Sequence, residues 1–312
     1  MNYHENKYID DIDRRNTLDQ NFKSIIHRAS ILAWILKSCI DDLKDKDIEE
    51  IKKFLDIGAD GIWVNGKESE STSSDNGPIF LDNVFEVHIS DGDPITVIVG
   101  IEGQNESNPG YPIGKRAEYY VSRMISDQRG SVFKGSDYGS LRKTYSIWIM
   151  MDPLKGNRKS MVKYRMTPVG IIGAPEHIEE LCTSNVVFIN LGGEYTDIPE
   201  EVGFAATLFS SAITEEQRRG ILQEKYKIPA GEYPSKELND MGFIYEDTKS
   251  RFLREGRAEE RIQTSVNAIV NLINKKGFSL EEALMMFDLS KKEEETIVPL
   301  VQEKLRETQA GS

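Results

Sequence analysis

Two polar side chains close an otherwise apolar segment of this chain. The run PITVIVG (94–100) is rich in β-branched residues and predicts a buried strand, which continues through Glu102 to Gln104. Successive strand side chains point to opposite faces, so Glu102 and Gln104 lie on one face where the chain leaves the core. Such a strand end is a plausible functional site, although any strand can simply run out into a loop there.

A further acidic residue reaches the same place through a predicted hairpin. FLDNVFEVHIS (80–90) predicts one strand, DGDP (91–94) a tight turn and ITVIVGIEGQ (95–104) the returning strand. Antiparallel pairing around this turn joins residues whose numbers add to about 183–185. Asp82 therefore lies opposite positions 101–103, beside Glu102.

Two carboxylates on one face of such a hairpin predict a metal site. Like charges this close are unfavourable unless one is protonated or a cation lies between them. Carboxylate oxygens are preferred ligands of Mg²⁺, and a metal ion beside basic residues is suited to phosphodiester hydrolysis. The alternative is that Asp82 and Glu102 are solvated acids at strand ends.

Positive charge follows directly after this strand. The chain carries a net charge of −13, which argues against a general polyanion binder. Residues 111–170 nevertheless contain twelve basic and four acidic residues, a net charge of +8, so the rest of the chain carries −21. This segment is either a chance fluctuation or a basic patch that faces a phosphate backbone.

Composition excludes several other classes of protein. The two cysteines form no CxxC pair, and the four histidines lack the spacing of a metal site such as HExxH. The apolar run ILAWILKSCI (31–40) is shorter than the ~20 residues of a membrane span. The charged N-terminal stretch has no secretory signal, so we expect a cytoplasmic protein without a membrane partner.

The remaining pattern is α/β at the front of the chain and helical at the back. Apolar periodicity predicts helices over 22–44, 47–55 and 113–130, and core strands over 144–151 and 185–193, with a polar loop at 66–77. After about residue 198 only helical periodicity remains. Ser279 and Ser290 are predicted N-caps, with Glu282 and Glu293 completing capping boxes.

The ordered set of residues resembles the PD-(D/E)XK nuclease family transposases, also called recombination-promoting nucleases. The features that carry the resemblance are Asp82 on a strand, the hairpin, Glu102-Gly103-Gln104, and Arg116 and Tyr120 at the start of a helix. SDYGSLRKTYSIWIM (136–150) matches the segment that follows in that family. The resemblance covers about residues 30–230, and the C-terminal helices also look typical of it.

The resemblance implies a restriction-endonuclease-like core, α-β-β-β-α-β, within residues 1–198, followed by an all-helical region over 199–312. It further implies that Asp82 and Glu102 hold Mg²⁺ for cleavage of DNA. Gln104 stands where most of the superfamily has Lys, and it brings no positive charge. Asp42 is the candidate for the additional acid that relatives place on the first helix, usually as Glu.

The helix after the hairpin supplies the predicted DNA contacts. Arg116 and Tyr120 share one helix face at i, i+4, and Lys115 and Arg123 lie beside them. Tyr120 is equally well interpreted as a core residue. Arg123 is predicted to be a solvated or DNA-facing residue. The alternative function is a non-catalytic nucleic-acid-binding or regulatory protein on a nuclease scaffold. The long C-terminal helix predicts a homodimer, which would place two active sites on one duplex.

Overall fold

The computed structural model describes residues 16–73, 77–89, 95–104, 110–166, 172–173, 183–287, 289 and 291–310. The chain divides into two compact units, Met1–Ile244 and Tyr245–Ser312. The boundary predicted from the sequence lies after residue 198. The units divide later because the helices that follow residue 198 contribute to the core of the sheet.

A six-stranded mixed sheet forms the centre of the first unit. Its strands are β1 (Lys67–Ser73), β2 (Gly77–Ile89), β3 (Ile95–Gln104), β4 (Thr144–Met150), β5 (Ser160–Arg165) and β6 (Ser184–Asn190). Their order across the sheet is β1-β2-β3-β4-β6-β5. β1, β2 and β3 are antiparallel, β3, β4 and β6 are parallel, and β5 is antiparallel to β6. The predicted α/β class with a mixed sheet is confirmed.

Helices flank the sheet on both faces. Those of the first unit are α1 (16–26), α2 (Ala29–Cys39), α3 (Ile48–Lys52), α4 (Ile113–Ser126), α5 (Glu200–Phe209) and α6 (Glu215–Glu224). α7 (Ser235–Lys276) begins in the first unit and ends in the second. The predicted hairpin, the helix that follows it and the core strands β4 and β6 are all confirmed.

Strand alternation separates the sheet into two differently covered faces. On the α2 face, Val99 and Ile147 lie in a core shared with α1, α2 and α5. On the α4 face, Trp148 packs with Ala117 and Val121 of α4. Even-numbered residues of β3 and β4 therefore point towards α4. Each fully buried large apolar side chain of these cores contributes about 1.5–3 kcal/mol to stability.

The single helix predicted over 22–44 is wrong, because the chain breaks at His27–Arg28. Arg28 is extended and forms a β-bridge with Trp63. The amide of Ala29 donates to Ile62 O, and the amide of Val64 donates to His27 O, both at 2.8 Å. Backbone pairing with the 62–64 segment thus replaces the helical bonds at this point.

Two strands depart from the sequence prediction. The sequence predicts a polar loop over 66–77. This prediction is wrong, because Lys67–Ser73 form strand β1, which pairs with β2. β5 was not predicted either, and it pairs with β6. Strand preference depends on the neighbouring strand more than on the residues themselves, so a polar or charged stretch can still join a sheet.

Two acids, one buried in the turn before α7 and one half-buried at its start, tie this region to the first two helices. Glu232 accepts hydrogen bonds from the Ser30 amide and hydroxyl, both at 2.8 Å, near the N-terminus of α2. Glu237 accepts from Arg28 and Ser24, each at 2.9 Å. A carboxylate near a helix N-terminus satisfies amides that have no partner within the helix. These contacts explain why the first unit extends to residue 244.

The second unit is built from the end of α7 together with α8 (Leu280–Met285) and α9 (Lys291–Ala310). Its small core contains Val266, Ile269, Ala283, Ile297 and Val301. The predicted capping box of Ser279 and Glu282 is confirmed at the start of α8. The second predicted box, Ser290 with Glu293, lies outside the described residues and side chains. None of the described helices combines the length and apolar character that a bilayer span needs.

Candidate active site at the end of the hairpin

Glu102 and Gln104 lie at the end of β3 and point to the α4 face. A Cβ atom added to Gly100 would lie 3.0 Å from a methionine sulfur of α4, whereas one added to Gly103 would lie 2.8 Å from the ring of Phe22 in α1. Even and odd residues of β3 therefore face different helices, as strand alternation predicts. Both Glu102 and Gln104 are half-buried.

The register of the hairpin confirms the predicted pairing. Val84 pairs with Gly100, and partner numbers add to 184 throughout the paired hairpin. The observed pairing ends at Val84 with Gly100, so the predicted position of Asp82 opposite Glu102 lies two residues beyond it. The side chain of Asp82 itself lies outside what the structure describes. Its proximity to Glu102 therefore stays a prediction.

A β-bulge lies at this point in β2. β1 pairs Lys67 with Val84 but Ser69 with Leu81, so β2 contains one extra residue between Leu81 and Val84. The extra residue falls at Asp82–Asn83. Bulges bend a strand and change the direction of its side chains, and they are common next to active sites. The sequence has no glycine at this position that would have indicated a bulge.

Parallel pairing extends the same edge of the sheet beyond β3. Gln104 pairs with Met150, which pairs with Asn190, so these residues form one row at the carboxyl ends of their strands. Asn190 is buried and donates to Ser160 Oγ at 3.1 Å. Sequence reasoning missed Asn190 and Ser160. The available signal was that Asn190 ends an apolar strand, as Gln104 does.

Arg116 lies in an aromatic environment at the start of α4. Its Nη1 donates to Tyr111 Oη at 2.7 Å, and its Nη2 donates to Tyr120 Oη at 2.8 Å. The guanidinium carbon lies 4.9 Å from the ring centre of Tyr120 and 5.4 Å from that of Trp148. We refer to Tyr111, Arg116, Tyr120 and Trp148 as the Arg116 cluster. Trp148 pairs with Glu102, so the cluster adjoins the end of β3.

The electrostatics link this cluster to Glu102. Burial alone would lower the pKa of Arg116, but the hydrogen bond to Tyr120 and the nearby Tyr111 and Glu102 raise it overall. Burial raises the pKa of Tyr120, and Glu102 adds to that rise while Arg116 opposes it. Arg116 therefore stays charged next to a carboxylate, and Tyr120 remains a neutral phenol at physiological pH.

The other predicted DNA contacts on α4 have different positions. Lys115 is exposed, as a phosphate contact requires. Arg123 is buried, with only 6% of its surface exposed, and its Nη1 donates to Tyr119 Oη at 3.2 Å. The prediction that Arg123 is solvated is therefore wrong, and its predicted contact with DNA stays a prediction. The pairing of its guanidinium with the Tyr119 ring, 5.9 Å away, accounts for its position.

Asp42 lies apart from the end of β3. It is in a 3₁₀ turn after α2, and Lys143 Nζ is 3.2 Å from its carboxylate. Lys143 directly precedes β4, whereas Glu102 pairs with Trp148, four residues beyond Thr144 and hence about 13 Å along the strand. The structure does not bring Asp42 together with Glu102. The sequence predicts that Asp42 lies on the first helix. This prediction is wrong, because the helix ends at Cys39.

The basic segment 111–170 is partly neutralised within the fold. Four of its cations form ion pairs with carboxylates: Arg142 with Glu86, Lys143 with Asp42, Arg158 with Asp152, and Lys163 with Asp41. Five others have exposed side chains: Lys115, Arg129, Lys134, Lys155 and Arg165. The exposed charges are distributed over α4, two loops and β5. A single continuous basic patch does not follow from this distribution.

The donor atoms at the end of β3 suit a hard cation. Glu102 supplies carboxylate oxygens and Gln104 an amide oxygen, the ligand types that Mg²⁺ prefers. Among the described side chains, no group of three or more His, Cys, Asp and Glu residues is arranged to hold a metal ion. The carboxylate of Asp82 is not among those side chains. The chemistry of the donors therefore fits Mg²⁺, with Asp82 and Glu102 as its candidate ligands.

No protein-family model, curated protein or solved structure matches this chain. Fold and site must therefore be interpreted from the residues themselves.

Proposed function

We propose that the protein is a metal-dependent DNA endonuclease linked to mobile elements or recombination. The observation that supports this most strongly is the meeting of Glu102 and Gln104 with the Arg116 cluster at one strand end. The order of elements gives further support, because helices, three antiparallel strands, a helix and a parallel strand follow the α-β-β-β-α-β pattern of restriction-endonuclease-like cores. The proposal therefore includes a restriction-endonuclease-like fold for this core.

Arg116 and Gln104 would have different roles in hydrolysis. Two N–H groups of Arg116 bind tyrosine hydroxyls, and an arginine has five, so the rest can donate to a phosphate oxygen. The Gln104 amide can accept a hydrogen bond from the attacking water or donate one to the phosphate. Attack at phosphorus breaks the bond to the 3′ oxygen and leaves a 3′-hydroxyl and a 5′-phosphate.

Gln104 brings no charge, so positive charge must come from elsewhere. Mg²⁺ held by Asp82 and Glu102 would supply Lewis acidity and lower the pKa of a bound water. Arg116 supplies the second positive charge and is held in place by Tyr111 and Tyr120. A guanidinium fixed by two hydroxyls loses less entropy on binding phosphate than a free one does.

Plasmid nicking in Mg²⁺ tests the proposal. The wild type should nick DNA, and Glu102→Ala and Asp82→Ala should each reduce the rate by at least about 100-fold. Glu86→Ala is the matched control, because Glu86 is a half-buried acid of the same hairpin that pairs with Arg142 at 3.0 Å. Cleavage that survives both substitutions, or that needs no metal, would refute the mechanism. Soluble wild-type protein that binds DNA but never cuts it would favour the non-catalytic function instead.

Two features of the proposal concern the whole protein. We propose a homodimer formed through the helical C-terminal region, so that two sites can act on one duplex. We also place the protein in the cytoplasm, where a DNA substrate is available. Sedimentation at several protein concentrations tests the dimer independently of cleavage.

A further inference from the structure

Asn83 is a buried polar residue between the two candidate metal ligands. It follows Asp82 directly, lies in the bulge of β2 and has only 4% of its surface exposed. Neither the sequence pattern nor the proposed chemistry assigns it a role. A buried amide in a sheet core is costly unless its hydrogen bonds hold it in one orientation.

The amide of Asn83 crosses to the neighbouring strand. Its Nδ2 donates to the carbonyl oxygen of Ile101 at 3.1 Å, and Ile101 directly precedes Glu102. The bond therefore joins the residue after Asp82 to the residue before Glu102. The observed backbone pairing of β2 with β3 ends at Val84 and Gly100, and this side-chain bond joins the same two strands one residue further along.

His27 is a second side chain that interacts with Asn83. Its Nδ1 lies 3.0 Å from Val64 O, and its ring centre lies 4.8 Å from that of Phe85. A Cβ atom added to Gly66 would lie 2.6 Å from His27 Cε1, so the ring has no room on that side. Burial lowers the pKa of His27, while the Val64 carbonyl and the Asn83 side chain act in the opposite direction.

The orientation of Asn83 consequently depends on Ile101. Since Val64 O can only accept, His27 Nδ1 is the donor, which leaves Nε2 of the neutral ring as an acceptor. Nε2 of His27 and Oδ1 of Asn83 are both buried. Both are acceptors while the ring is neutral, so they do not hydrogen-bond each other; the bond between these side chains that raises the pKa of His27 needs the protonated ring. The bond from Nδ2 to Ile101 is thus the contact that fixes the amide.

We propose that Asn83 is a positioning residue that sets the separation of Asp82 and Glu102 at this end of the β2–β3 hairpin. The inference rests on the proposed function, since it assumes that these two acids share a cation. It predicts that loss of the Asn83 bond weakens binding of the cation without removing any ligand. Changes to residues that orient metal ligands typically reduce metal affinity about 10–100-fold.

Asn185 provides a matched control within the same sheet. It is also a buried asparagine, with 4% exposure, and its Nδ2 donates to a backbone carbonyl of the adjacent strand, Thr144 O, at 3.4 Å. It lies at the opposite end of the parallel strands, beside Tyr145. Asn83→Leu and Asn185→Leu each replace an amide by an apolar group of similar shape. Only the first should change the cation site.

Calorimetric titration of Mg²⁺ into the full chain without DNA tests the inference. Asn83→Leu should weaken Mg²⁺ binding by about 10-fold or more, while Asn185→Leu stays within about 2-fold of wild type. In cleavage, Asn83→Leu should need correspondingly more Mg²⁺ for half-maximal rate, and excess Mg²⁺ should restore most of the rate. Thermal unfolding of both variants separates this effect from general loss of stability.

The outcomes distinguish this inference from the proposed function. Wild-type protein that neither binds Mg²⁺ nor cleaves DNA would overturn both. Wild-type protein that binds Mg²⁺, with Asn83→Leu equal to it, would overturn the positioning role alone. If Asn83→Leu does not fold, Asn83→Thr decides by the same criterion, because its shorter hydroxyl cannot span the distance to Ile101 O.

Discussion

The two ends of the parallel strands both combine acids with cations, but they pair them differently. At the amino end, Lys143 lies 3.2 Å from Asp42, and Asp41 lies 2.6 Å from Lys44 and 3.0 Å from Lys163. These contacts form the amino-end cluster. At the carboxyl end, the hydrogen bonds of Arg116 go to the neutral hydroxyls of Tyr111 and Tyr120.

This difference separates structural charge from charge that can act on a substrate. A carboxylate in direct contact with lysine is already compensated, and a metal ion or phosphate would have to displace its partner. Arg116 lies near the Glu102 carboxylate, but its hydrogen bonds go to two neutral hydroxyls, so its guanidinium stays protonated and keeps N–H groups that the two tyrosines do not use. The presence of acids and bases thus does not identify a site by itself. What matters is whether a cation still has donors to offer to a substrate.

Replacing Arg116 should reduce the rate of DNA cleavage far more than replacing a cation of the amino-end cluster. Arg116→Ala removes a phosphate donor and should reduce DNA cleavage about 10²–10³-fold, as loss of one donor to a developing negative charge does elsewhere. Arg116→Lys should recover only part of the rate, because lysine lacks the planar fork. Nicking assays at saturating Mg²⁺ measure both effects.

Lys143→Ala is the control for that prediction. It removes a cation from the amino-end cluster, and the cleavage rate should remain within about 3-fold of wild type. Equal losses for Arg116→Ala and Lys143→Ala would show that overall positive charge, and not the position of Arg116, determines the rate. The distinction between the two ends would then fail.

Removing the hydroxyls that hold Arg116 should have a smaller effect. Tyr111→Phe and Tyr120→Phe each delete one hydrogen bond of about 0.5–1.5 kcal/mol and keep the ring that contacts the guanidinium. We expect cleavage to fall by about 2–10-fold in each variant, mainly through KM for DNA. Tyr138→Phe, on an exposed tyrosine outside the Arg116 cluster, is the control. No change in either variant would mean that the hydroxyls do not position Arg116.

Local pattern was sufficient to predict the hairpin and the strand end. Alternation along β3 and the Asp-Gly turn predicted the register of the hairpin and the shared face of Glu102 and Gln104, and the observed pairing from Val84–Gly100 to Ile89–Ile95 confirms that register. These features depend on two adjacent segments joined by one tight turn, where periodicity and turn residues are informative.

Features that depend on distant pairing could not be predicted in this way. The break at His27 exists because the chain pairs with residues 62–64, and β1 is a strand because it lies beside β2. The ion pair of Asp42 with Lys143 joins residues 101 positions apart. Each depends on a contact that leaves no trace in local composition. Asp42 was predicted to lie on the first helix, but that helix ends at Cys39 and the ion pair holds Asp42 away from Glu102.

Asp42→Asn should therefore have little effect on cleavage. The rate should stay within about 3-fold of wild type, because the carboxylate is paired with Lys143 and lies away from Glu102. The ion pair is partly exposed, so a double-mutant cycle of Asp42→Asn with Lys143→Ala should give a coupling of about 0–1 kcal/mol in urea unfolding. Loss of cleavage comparable to that of Glu102→Ala would return Asp42 to the active site.

The smallest expected effect is the acid sensitivity of the amino-end cluster. The hydrogen bond from Lys44, together with Lys163 and against the opposing effect of burial, lowers the pKa of Asp41 to about 2. A carboxylate whose pKa is lower in the folded state stabilises the fold above its ordinary pKa of 3.8 and loses that contribution as the pH falls towards about 2. Asp41→Asn should thus be less stable than wild type at neutral pH, and the urea midpoints of the two should converge below about pH 3.

The same experiment separates the ion pairs from a general charge effect. Asp41 is nearly half exposed, so added salt should shrink the difference at neutral pH by screening its lysine contacts. Asp45→Asn, at an exposed aspartate four residues along, should show a smaller difference over the same range. Urea midpoints for wild type and Asp41→Asn that run parallel down to about pH 2 would contradict the shifted pKa. The amino-end ion pairs would then be no stronger than ordinary surface contacts, and the contrast between the two ends of the sheet would rest on Arg116 alone.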